Sequence, residues 1–108
     1  MKIRAVSFRP KALQDIRDIV RYIAVDNSRA SHTFEAELEY TVSLLVGVPE
    51  MGALRSFGNS ALAGIRLWPI KGFEKYLLVY RVSRETLDVI RVVHGARNLP
   101  ALFRRNRG

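Results

Sequence analysis

The chain has 108 residues, 48% of them hydrophobic and 26% charged, with 18 Lys/Arg against 10 Asp/Glu for a net charge of +8, and it has no cysteine. That apolar content excludes a disordered chain, and the length suits one hydrophobic core rather than two, so residues 1–108 are expected to form a single globular domain. The missing cysteines remove disulfides, thiol nucleophiles and cysteine-based zinc sites together, and they fit a reducing cytoplasm.

The opening "MKIRAVSFRP" places charges where a signal peptide needs an apolar run, so an unexported protein is expected. Residues 2–7, "KIRAVS", alternate well enough for a short first strand. From Pro10, the residues Leu13, Ile16, Ile19, Val20 and Ile23 recur at helical spacing, which predicts a helix over about 10–25. Pro10 is tolerated because it falls in the first turn, where its missing N–H has no intrahelical role. The turn-formers "DNS" at 26–28 end that helix. A second helix runs through Ala30, Phe34, Leu38, Val42 and Leu45 until Gly47 and Pro49 stop it, with Glu35, Glu37 and Glu39 turned mostly to water. So short a connection implies an antiparallel helix hairpin. The uncharged run "YTVSLLVGVP" at 40–49 is about half the ~20 residues that a membrane span requires.

"PEMGALRSFGNS" at 49–60 reads as a loop. The remainder is β: "AGIRLWPI" (63–70), "KYLLVYRV" (75–82) and "TLDVIRVV" (86–93), separated by "KGFE" and "SRE" turns. Pro69 lacks a donor, so its strand ends there or lies at an edge. A tight turn centred on Arg84 and Glu85 sets Val82 opposite Leu87 and Arg81 opposite Asp88, a register favoured by the facing charges. Strict alternation then gives one face Leu77, Val79, Ile90 and Val92 with His94 at its end, and gives the other Tyr76, Leu78, Tyr80, Val89 and Arg91. Both faces are partly apolar, so one packs on the helices and the other is small or covered by a partner. The predicted layout is β-α-α-β-β-β, an α+β fold with a helix hairpin on a small, mostly antiparallel sheet.

Charge divides unevenly along this layout. Residues 1–54 hold seven Lys/Arg and seven Asp/Glu, whereas residues 55–108 hold eleven and three, and no acid follows Asp88. A one-sided positive field calls for a negatively charged partner, nucleic acid or acidic protein. Catalytic patterns are scarce. Two histidines without cysteine make no transition-metal cluster, the serines lack a nucleophile-elbow context, and the glycines form neither a P-loop nor a dinucleotide fingerprint. No metal or cofactor is expected. His94, at a strand end with no orienting partner or nucleophile beside it, reads as a structural group. In "VHGARN", Gly95 relaxes the backbone, His94 anchors the bend and Arg97 points toward a partner. Trp68 and Phe73 read as packing residues.

"GIRLWPIKGFEKYLLVYRV" followed by "LDVIRVVHGARNLPALF" resembles the ParE branch of the ParE/RelE toxin superfamily of bacterial toxin–antitoxin and plasmid-stabilisation modules. "ALQDIRDIVRYIAVDN" and "VGVPEMGALR" resemble that family's helix pair and the loop after it, so the similarity spans nearly the whole chain in order. Arg9, before Pro10, departs from the small hydroxyl residue the family often places there as a helix cap.

The resemblance implies one of two activities. RelE-like members cut messenger RNA on the ribosome, whereas ParE-like members poison DNA gyrase. Aligned on "LVY", the strand arginine of a RelE-like enzyme falls at Leu77, the arginine after the last strand is kept as Arg97, and the tyrosine six residues on becomes Phe103. The expectation is therefore a non-enzymatic gyrase poison neutralised by an acidic ParD-like antitoxin, with DNA contacted only through the antitoxin complex. An RNA-cleaving toxin using a substitute set such as Lys71, Lys75, Arg81 and His94 is the alternative, as is an inactive member that only binds its antitoxin. The expected target-binding residues are Arg97, Phe103, Arg104 and Arg105, an apolar anchor ringed by arginines. Arg66, Arg81 and Arg91 are expected to meet the antitoxin's acids.

Overall fold

The computed structural model describes residues 2–55 and 63–95. Strand β1 (Ala5–Phe8) leads into helix α1 (Pro10–Asp26), which turns at Asn27 into helix α2 (Ser28–Gly47). A 3-10 turn (Pro49–Met51) and a short strand β2 (Ala53–Leu54) precede the long β part, β3 (Arg66–Ile70), β4 (Phe73–Ser83) and β5 (Thr86–His94). The expected loop at 49–60 thus contains a 3-10 turn and a strand of its own, and β1 starts later than the alternation suggested.

Local chemistry accounts for the hairpin. Pro10 occupies the start of α1, and Arg9, the N-cap, supplies no side-chain cap. Its guanidinium donates instead to Asp88 Oδ2 at 3.0 Å, and its amide donates to the Val89 carbonyl, so β5 fixes the entry to the helix. The Asn27 side chain accepts from the Ala30 amide at 3.0 Å and caps α2, a bond worth about 1 kcal/mol. The buried hydroxyls Ser31 and Thr41 donate to the carbonyls of Ser28 and Glu37 on their own helix.

The five strands are ordered β1-β5-β4-β3-β2, antiparallel except for the parallel edge pair β1–β5. The expected β4–β5 turn is present: Arg84 and Glu85 both take positive φ, Val82 faces Leu87, and Arg81 faces Asp88. The carboxylate of Asp88 pairs with Arg9. Pro69 pairs with Leu77 of β4, while β2 on the other side of β3 reaches only Arg66 and Leu67, and the β3–β4 register shifts between Pro69 and Ile70.

A second register shift between Val79 and Tyr80 corrects the expected faces, because Val79 pairs with Arg91 and Tyr80 with Val89, leaving Ile90 as an extra residue. Val92 is thereby turned to the opposite face from Ile90. Leu78, Tyr80, Leu87, Val89 and Val92 join Phe34, Leu38, Leu45 and Ala12 in the helix-side core, with Trp68 and Phe73 packed against it. Ile65, Leu67, Val79, Ile90 and Val93 form a second buried cluster, with Leu77 against it.

Candidate functional site

Helix α1 and the ends of β4 and β5 enclose an open groove of about 730 Å³. Lys11, Asp15, Asp18 and Tyr22 line one wall, a single helical stripe at spacings of four, three and four residues. Tyr76, Arg91, Val92, Val93 and His94 line the other. At the base of the groove the Asp15 carboxylate accepts from Arg91 Nε at 2.7 Å, from Arg91 Nη2 at 3.0 Å and from the Val92 amide at 3.0 Å. Both side chains of this pair are only 12% exposed. Strand β1 accompanies β5 no further than Phe8 opposite Val89, so Asp15 takes the place of a strand partner for Val92. His94 packs edge-on against Tyr76, ring centroids 5.6 Å apart, and Tyr76 packs in turn against Phe34 at 5.7 Å.

Toward the β3–β2 edge of the sheet a second polar knot fastens the turn after α2. The Tyr80 hydroxyl donates to the Pro49 carbonyl at 2.7 Å and accepts from the Gly52 amide at 2.9 Å. Arg66 Nη1 donates to the carbonyls of Glu50 and Gly52 at 2.9 and 2.8 Å. Burial is the main cause raising the Tyr80 pKa above 10.0, against the lowering effects of the Gly52 hydrogen bond and the Arg66 charge. A Cβ at residue 52 would lie 2.5 Å from the tyrosine oxygen, so only glycine fits there.

The structure distributes the residues singled out in the sequence rather than gathering them. Arg91 is engaged with Asp15, Arg66 with the 49–52 turn, and Arg81 reaches the Ala63 carbonyl at 3.4 Å. Of the alternative acid–base set, His94 pairs with Tyr76 while Arg81 lies five residues further along β4, about 17 Å away at the usual rise per strand residue. Leu77 is partly buried beside the second apolar cluster. Gly95 does not take a positive φ; its amide donates to the Lys75 carbonyl at 2.6 Å, and an added Cβ would lie 3.3 Å from Leu77. Arg97, Phe103, Arg104 and Arg105 lie outside the described residues.

Sequence reasoning missed Asp15 and Tyr80 as organising residues. Asp15 had a signal, because it follows Ala12 by three residues and precedes Ile19 by four, both buried. An acid inside the core stripe of an amphipathic helix demands a cation or a donor. Tyr80 had none, since an inward tyrosine on an alternating strand looks like any aromatic core residue. Among the described residues no group of three or more His, Cys, Asp or Glu could hold a metal ion, and no helix is long and apolar enough to cross a membrane.

Comparison with known proteins adds to this geometry. A search of curated proteins finds no match. Among solved structures the fold is similar to one described as "Chromosomal ParDE TA system from P. aeruginosa", with a TM-score of 0.66 and 17% identity over 85% of this chain and 96% of that one. At such identity the likeness speaks for the fold, two helices on a five-stranded mixed sheet. The family described as "ParE toxin of type II toxin-antitoxin system, parDE" matches residues 6–99, nearly the whole length, and the chain belongs to that family.

Proposed function

We propose that this ParE-family toxin acts by binding and poisoning DNA gyrase, without cutting RNA, and that a cognate acidic ParD-like antitoxin neutralises it. The observation that carries the choice is Leu77. Where the RelE-like enzymes carry an arginine, this chain has an aliphatic side chain packed beside the buried cluster of Ile65, Leu67, Val79, Ile90 and Val93. A phosphate-stabilising cation has no counterpart at that position, and rebuilding the chemistry from Lys71, Lys75, Arg81 and His94 would require groups at opposite ends of β4 to act together.

In this reading Arg97, Phe103, Arg104 and Arg105 engage the gyrase, and Arg66 and Arg81, which donate to uncharged carbonyls, contribute to the antitoxin surface, whereas Arg91 is held by the Asp15 carboxylate with both side chains only 12% exposed. The net charge of +8 favours an acidic antitoxin through long-range attraction. The test is tightly controlled expression, scored for gyrase-dependent DNA breaks and for messenger cleavage, followed by the purified protein with gyrase and plasmid DNA. Accumulation of cleaved DNA complexes supports the proposal. Messenger cleavage on ribosomes without DNA breaks overturns it.

A further inference from the structure

The face of the sheet turned away from the helices is divided. One half carries the buried cluster of Ile65, Leu67, Val79, Ile90 and Val93. The other half, toward the Arg84–Glu85 turn, is polar. Pairing across β1, β5 and β4 sets Ser7, Asp88 and Arg81 in one row and Ala5, Thr86 and Ser83 in the next. Phe8, Tyr80, Val82, Leu87 and Val89, which alternate with these residues along the strands, belong to the helix-side core. Ala5, Ser7 and Ser83 are exposed, and Thr86, Asp88 and Arg81 are half-buried.

Four arginines, Arg4, Arg9, Arg81 and Arg84, stand on or beside the two rows, against two acids, Glu85 and Asp88. Both acids are occupied: Asp88 accepts from Ser7 Oγ and Arg9 Nε, each at 3.0 Å, and Glu85 pairs with Arg4 at 3.1 Å. Arg4 and Arg9 meet these acids through Nε and keep Nη donors for a second partner. Arg84, at the tip of the turn with a φ of 50°, makes no hydrogen bond or ion pair among the described residues. The surplus positive charge thus surrounds three small hydroxyls, Ser7, Ser83 and Thr86. Neither row contains an aromatic or large apolar side chain, so the platform has nothing to stack on a base or to anchor a protein partner.

We infer that this polar half-face holds the sugar–phosphate backbone of duplex DNA across its minor groove. Arg81 and Arg84 meet phosphates of one strand, with the Ser83 and Thr86 hydroxyls donating beside them, and Arg4 and Arg9 meet the other strand. Guanidinium groups match phosphate geometry, and short hydroxyl side chains let a backbone approach the sheet closely. From β1 to β4 is two strand spacings, about 10 Å. That width bridges the minor groove of B-form DNA, about 6 Å wide, from one backbone to the other, whereas the minor groove of A-form RNA is too wide for it. Contact of this kind is independent of base sequence and falls steeply with salt. It departs from the expectation that DNA is reached only through the antitoxin complex, and it depends on neither the gyrase reading nor the antitoxin reading.

The experiment titrates a labelled DNA duplex of about 20 base pairs with the purified toxin alone and follows its fluorescence anisotropy between about 50 and 200 mM salt. Arg81 also belongs to the antitoxin surface proposed above, so the variants are Arg84→Gln and Ser83→Asp at the exposed end of the platform. Arg29→Gln on α2 removes the same charge elsewhere and serves as the control. Arg84→Gln is expected to make the slope of log affinity against log salt shallower by about one, and Ser83→Asp to weaken binding about tenfold at the low-salt end. Melting temperatures of all three variants are expected to stay near wild type, and Arg29→Gln to keep the wild-type slope. Equal changes in Arg84→Gln and Arg29→Gln would show diffuse attraction by net charge and overturn the site. Tighter binding of an RNA duplex of the same length, or no binding of DNA by wild type, overturns it as well. None of these outcomes touches the gyrase or antitoxin reading, which are scored by DNA breaks and by antitoxin affinity.

Discussion

The two polar knots solve the same problem with different chemistry. Each uses a side chain distant in sequence to satisfy backbone groups that no helix or strand reaches: Asp15 for the Val92 amide, Tyr80 and Arg66 for the carbonyls and amide of the 49–52 turn. The α1–β5 knot is ionic, with two nearly buried charges that depend on each other. The Tyr80 knot centres on a neutral hydroxyl that both donates and accepts, and its one charge, on Arg66, lies at the margin. Losing one member of the first leaves an uncompensated charge in a low-dielectric site. Losing one member of the second leaves only unpaired dipoles, which cost less.

Asp15→Ala is therefore expected to give the largest effect, about 3–5 kcal/mol of stability, because Arg91 stays partly buried without its counter-charge. Asp15→Asn keeps an acceptor for the Val92 amide and is expected to lose less than Asp15→Ala. Urea unfolding of the three proteins measures this. Equal losses in Ala and Asn would mean that the charge, and not the hydrogen bond to Val92, sets the strength of the knot.

Gly52→Ala attacks the other knot by volume, with an expected loss of about 2–3 kcal/mol as the added methyl displaces the tyrosine oxygen 2.5 Å away. The shortest of the contacts is to the hydroxyl, with ring carbons at 2.7 and 2.9 Å behind it, so Tyr80→Phe in the same chain relieves part of the clash. The double variant is expected to lose less than the sum of the singles. Strict additivity would show that the methyl is accommodated by backbone movement instead.

The contrast between the knots also marks what the sequence could and could not reveal. The hairpin of helices, the three long strands and the turn at Arg84–Glu85 follow from patterns within a few residues, and all are present. The register at Val82–Leu87 held for that same local reason. The bulge at Ile90 was not legible, because an extra residue changes no composition and only breaks an alternation, and it moved Val92 to the other face. Arg91 was read as a charge for a partner, because its counter-charge lies 76 positions away on α1. The strand–helix groove was invisible for the same reason: Lys11 and Asp18 look like ordinary solvent-facing charges until β5 is placed beside them.

Tyr80→Phe tests the neutral knot without changing its shape. Removing the hydroxyl leaves the Pro49 carbonyl and the Gly52 amide unpaired, for an expected loss of about 1–2 kcal/mol at neutral pH. The pH dependence identifies the cause. The folded state raises the Tyr80 pKa above 10.0, so it holds that proton more tightly than the unfolded chain. The stabilisation is present in full below about pH 10 and disappears as pH rises through the folded-state value. Stability measured from pH 7 to 11 is expected to fall more steeply at the top of the range in wild type than in Tyr80→Phe. Parallel curves would remove Tyr80 from the alkaline transition.

The smallest effect calibrates the others. Arg4 and Glu85 form an ion pair of 3.1 Å, well within bonding distance, yet their side chains are 69% and 53% exposed. Water already solvates both partners and salt screens them, so distance alone is a poor guide to strength. Arg4→Gln is expected to cost under about 0.5 kcal/mol, and that small difference is expected to vanish near 1 M salt. The Asp15–Arg91 pair, at a similar separation but shielded from solvent, is expected to keep most of its effect under the same conditions. Measuring Arg4→Gln and Asp15→Ala side by side in low and high salt separates burial from proximity. Comparable losses in both variants, screened equally, would show that the α1–β5 knot behaves as a surface pair and that its burial confers no electrostatic advantage.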